Sequence, residues 1–195
     1  MRKFTVRPTL TFRGRKFKGV RGWSGKPTHP PLTDFPIVAY ILGAVFDVIS
    51  VIGGDDHAWA HDFWRAGTYT FIAGAIVSVF AALTGLWDAW KSSEAGTQAR
   101  RTINAHATVM VTVTVLALAD IAWRLNEYHT ESHTPIGIMI LSVVIAALVS
   151  FGSTLGGTLV YDYGFNVETA GDHPVWHKSE TDVFPGQHRD EAASS

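Results

Sequence analysis

Four apolar stretches constrain this chain more than anything else in it: residues 35–52, about 63–87, about 105–123 and about 135–160. Each is close to the ~20 residues that a helix needs to cross ~30 Å of hydrocarbon, where every backbone polar group must find its partner inside the segment. Pro36 and Pro135 open the first and fourth stretches, suiting a first helical turn whose N–H groups have no partner anyway. The stretches are joined by short polar connections, so neighbours in sequence are expected to be antiparallel neighbours in space. The predicted fold class is all-α: a four-helix transmembrane bundle, up-down-up-down, over residues 29–167. Trp59, Trp64, Trp87, Trp90 and Trp123 fall at stretch ends, where the rings are expected at the membrane interface.

The charges are sorted along the chain. Nine of the 16 Lys and Arg precede His29 with no acid among them, and all 17 acids follow. Residues 1–28 therefore read as a basic arm and 168–195 as a polar, acidic tail. No long apolar run precedes Phe35, so the first helix is expected to act as its own insertion signal. Lys91, Arg100 and Arg101 lie between the second and third stretches, on the same side as the arm. By the positive-inside bias both termini are expected in the cytoplasm, with the arm drawn to anionic lipid at about 1 kcal/mol per cation near the surface. No base-reading module accompanies the arm, so nucleic acid is not expected as a partner. There is no cysteine, which excludes thiolate iron–sulfur ligation, covalent haem attachment and disulfides.

Several polar residues fall where lipid should forbid them. Asp47 lies eleven residues after Pro36, about 16 Å along a helix and inside the hydrocarbon. Asp120 is at comparable depth, and Arg65 and Arg124 lie near that depth. An Asp–Arg pair is the structural reading of this group, and a proton relay the functional one. On the side of the arm, His29 and His106 come from different helices, as the two axial ligands of a b-type haem would. His29 stands at headgroup level, seven residues before Pro36; the plainer alternative is that both histidines cap or hydrogen-bond at the interface, for example His106 to Asp34 or Asp88. Asp34, Asp88, His106, Tyr161 and Tyr163 could together line a polar pocket for a headgroup, a quinone ring or a proton. In the opposite loops, His57 with His61 and His129 with His133 are both His-x₃-His. That spacing puts two imidazoles on one face of a helix, so zinc or copper is a candidate ligand there.

His29-Pro, Asp34-Phe-Pro36, Thr84-Gly-Leu-Trp-Asp88, His106-Ala and Gly156-Gly-Thr-Leu-Val-Tyr161, followed by Tyr163-Gly164 and Val167, form an ordered set. The set resembles the domain-of-unknown-function 2231 family of bacterial membrane proteins, over roughly 29–167. The resemblance implies a four-helix integral domain of the inner membrane. In some members it is fused to a Rieske-type iron–sulfur domain, which implies a respiratory or iron–sulfur partner. Many members carry histidine where Asp34 stands, and fused ones carry it where Thr158 stands. With those imidazoles gone, the expected function is a non-catalytic accessory or scaffold protein. The alternative is a redox component that binds b-type haem or quinone.

Overall fold

The computed structural model describes residue 20 and residues 27–166. The rest of the basic arm and the acidic tail from residue 167 lie outside the described residues. Among the described residues there are four helices, α1 (His29–Gly53), α2 (Ala58–Ser92), α3 (Gln98–Glu127) and α4 (Ile136–Tyr161), and a single 3₁₀ turn, Gly54–Asp56, after α1. All four are long and apolar enough to cross a membrane.

The first three helices outrun the apolar stretches at both ends, because a helix satisfies its own backbone and can continue into the headgroup layer. α1 begins six residues before Phe35, with its first-turn prolines at Pro30 and Pro31. Pro36, expected to start that helix, lies inside it, where the ring removes the hydrogen bond to the Leu32 carbonyl. Thr97 caps α3 by accepting from the Arg100 N–H at 3.1 Å.

Each helix packs on its neighbours in sequence, and α1 closes the ring against α4; the diagonal pairs α1–α3 and α2–α4 do not touch along their backbones. The core is one layer of Tyr40, Phe71, Val113, Ala117, Ile145 and Val149. Glycines let α1 and α2 approach closely: a Cβ on Gly43 would fall 2.5 Å from the Phe71 ring, and one on Gly74 would fall 2.9 Å from Ala39. Val38, Phe80, Leu83 and Phe151 point outward, the expected face for lipid. Trp64 departs from the interfacial expectation. It is fully buried, with the Arg124 guanidinium carbon 5.3 Å from its ring centre.

At the end away from the arm, Ser50 ties three segments. Its hydroxyl donates to the Ala60 carbonyl at 2.7 Å and accepts from the Thr134 N–H at 2.9 Å, both buried. Ser50→Ala leaves both groups without a partner and is expected to cost about 1–3 kcal/mol. A lowered midpoint in thermal unfolding of the solubilised protein checks this; an unchanged midpoint refutes it.

Candidate functional site

His29 begins α1 and His106 sits two turns into α3, so the two rings come from helices on opposite corners of the bundle. The ring centres are 6.3 Å apart and the planes nearly perpendicular, at 80°. Each ring is fixed by the helix beside it in the same way. His29 Nδ1 lies 2.9 Å from the Ala81 carbonyl of α2, and His106 Nδ1 lies 2.8 Å from the Gly152 carbonyl of α4. Four residues beyond each carbonyl, one helical turn on, stands a glycine. A Cβ on Gly85 would meet His29 Cε1 at 2.6 Å, and a Cβ on Gly156 would meet His106 Cε1 at 3.1 Å.

A carbonyl can only accept, so each Nδ1 must be the protonated nitrogen. In the neutral imidazole Nε2 is then the bare nitrogen, and in both rings it has no hydrogen-bond partner among the described residues. That is the tautomer of a metal-ligating histidine whose other nitrogen is held by backbone. Both rings thus hydrogen-bond to backbone carbonyls and not to Asp34 or Asp88. Both carbonyls lie within helices, so the imidazoles are not capping helix ends either.

The rings line a cavity of about 510 Å³, within the range of roughly 300–1,000 Å³ usual for cofactor and small-molecule sites. Ile37, Ile103, Met110 and Leu159 supply apolar walls, while Thr33, Ser153 and Tyr161 bring hydroxyls. Asp34 and Asp88 line it too, whereas Tyr163 is not among the lining residues. Asp34 is exposed; Asp88 is buried and accepts the Val20 N–H at 2.9 Å. Tyr161 is largely exposed, and Tyr163 is partly so.

The intramembrane charges form a separate cluster. From His106 to Asp120 is fourteen residues of α3, about 21 Å along the axis. Arg124 grips Asp47 through both terminal nitrogens, Nη1 to Oδ1 at 3.0 Å and Nη2 to Oδ2, and donates from Nε to Asp120 Oδ2. All three side chains are fully buried. Thr134 Oγ1 donates to Asp47 Oδ1 at 3.2 Å, and the guanidinium carbon stands 4.5 Å from the Phe71 ring centre. Gly67 makes the room, since a Cβ there would fall 2.8 Å from Asp47 Oδ1. Arg65 is not in the cluster. It follows Trp64, so it is turned about 100° from the buried face, and its exposed Nε donates to the Tyr128 hydroxyl at 3.0 Å.

The histidines of the opposite loops are not brought together. His57 precedes α2 and His61 lies within it, while His129 and His133 fall in the connection after α3, so neither pair shares a helix face. His57 Nδ1 is 3.1 Å from the Gly53 carbonyl, His129 packs on Tyr128, and His133 Nδ1 is 3.2 Å from Asp55 Oδ1. Among the described residues no three His, Asp or Glu side chains are placed to hold a metal ion.

The seats of the rings are what sequence reasoning missed. Gly85 and Gly156 both belong to the ordered set that carries the family resemblance, but nothing in that set marks them as places for a ring. Comparison with curated proteins and with solved structures gave no match. Residues 25–169 match the family model described as "Predicted membrane protein (DUF2231)". With that match covering most of its length, the chain belongs to the domain-of-unknown-function 2231 family of membrane proteins.

Proposed function

We propose that this protein is a membrane electron carrier that holds one b-type haem between His29 and His106. The observation that carries the reading is the matched pair of seats, two imidazoles from opposite helices with Nδ1 on backbone and Nε2 bare. At roughly 2 Å per metal–imidazole bond and roughly 1 Å from ring centre to nitrogen, two rings on one metal stand about 6 Å apart. The 6.3 Å separation and the apolar cavity fit such a group. When bound, haem supplies one-electron chemistry at its iron. The chain's own part is to fix both rings, to hold each in the ligating tautomer, and to keep the surroundings largely apolar. Both histidines line the one cavity, and neither Nε2 has a hydrogen-bond partner among the described residues.

The positive-inside bias supports placing the histidine end of the bundle at the cytoplasmic face of a bacterial inner membrane, with both termini inside. An electron-transfer partner would then meet it from that side, and the basic arm would rest on anionic lipid.

Protein purified after haem-replete expression is expected to show a stoichiometric Soret band of six-coordinate, low-spin type. His29→Ala and His106→Ala should each abolish that signature while the bundle still elutes as a single species. Absence of the band from the unaltered protein would return the family member to the scaffold reading.

A further inference from the structure

The second buried cluster has a charge count that does not close. Asp47 and Asp120 offer two carboxylates, and among the described residues Arg124 is the only cation paired with either. The oxygens are also unequally served. Asp47 Oδ1 accepts from Arg124 Nη1 and Thr134, and its Oδ2 accepts from Nη2. Asp120 receives one hydrogen bond, on Oδ2, while its Oδ1 is fully buried and has no partner. The groups placed against them are neutral: Trp64 and Phe71 from α2, and Thr134 from the connection to α4. Arg65, the nearest other cation in sequence, is turned outward.

We infer that this cluster is a proton-binding site, with Asp47 and Arg124 as a closed ion pair and one exchangeable proton on Asp120. The ligand is a proton from water, and the step is the addition of H⁺ to the unpartnered carboxylate oxygen, giving a carboxylic acid. Leaving a neutral hydroxyl short of one acceptor is far less unfavourable than burying a charge with no counter-charge. Arg124 cannot be the group that changes, because a guanidinium does not give up its proton in a protein. The site lies in the other half of the bundle from the histidine pair and stands whether or not haem binds there.

Infrared spectra of the full chain in nanodiscs at neutral pH test the assignment. A carbonyl band of a protonated carboxyl group is expected, shifted by exchange into D₂O and missing from Asp120→Asn. Asp120→Glu keeps an acid at the position and should move the band rather than delete it, which serves if the Asn variant fails to fold. No such band in the unaltered protein, or a band that neither variant changes, overturns the proposal.

Discussion

Arg124→Met is expected to cost the folded bundle about 3–5 kcal/mol, the usual penalty for stripping one partner from a buried ion pair. Total stabilities are of the order of 5–15 kcal/mol, so this one change should remove much of the folded population. The reason is the asymmetry of the cluster. Asp47 takes both terminal nitrogens of Arg124, and neither carboxylate has another cation beside it. Removing the guanidinium leaves charge in the core with only Thr134 to solvate it. Loss of the monodisperse peak on size exclusion, together with a steep drop in thermal midpoint, is the measurement. Adding Asp47→Asn and Asp120→Asn to the same chain should recover most of the loss, because no charge is then stranded. A single variant as stable as the unaltered protein would mean that the cluster is hydrated and the burial argument fails.

How much of this could be read from residues alone depends on what lipid does to a sequence pattern. Four spans were legible because hydrocarbon demands length and apolarity, and both survive in the bare sequence. Faces were not. A soluble helix announces its buried side by alternating with polar residues, but here lipid and core are both apolar and the period is nearly erased. Trp64 and Arg65 show the consequence, since depth alone could not say that the tryptophan turns in and the arginine out. Arg124 and Asp120 were easier, being four residues apart on one helix, where side chains meet. The outer histidines failed for a different reason. Their spacing implies a shared face only on a helix, and α2 starts one residue after His57 while the other pair lies in a connection. At the candidate site the two histidines were legible as candidates and their seats were not, because a glycine in a membrane helix looks alike whether it admits a backbone or a ring.

Those seats give a prediction in which haem affinity falls while stability holds. Gly85→Ala places a methyl group 2.6 Å from His29 Cε1, so the ring must leave its position and with it the hydrogen bond to Ala81. Disturbing the group that orients a ligating histidine costs about 10–100-fold in affinity, and a haem titration of the apo protein is expected to fall in that range. Gly156→Ala meets His106 at 3.1 Å, a contact that a small shift relieves, so its effect should be the smaller of the two. Alanine meanwhile favours a helix over glycine by roughly 0.5–1 kcal/mol, and without haem the His29 ring has only one hydrogen bond to lose. The apo form of either variant should therefore melt close to the unaltered protein. A general packing defect would lower both readouts together, and a steric claim on the imidazole lowers only haem binding. If Gly85→Ala bound haem as tightly as the unaltered chain, the glycine would be serving helix packing alone, and the symmetry between the two seats would carry no weight.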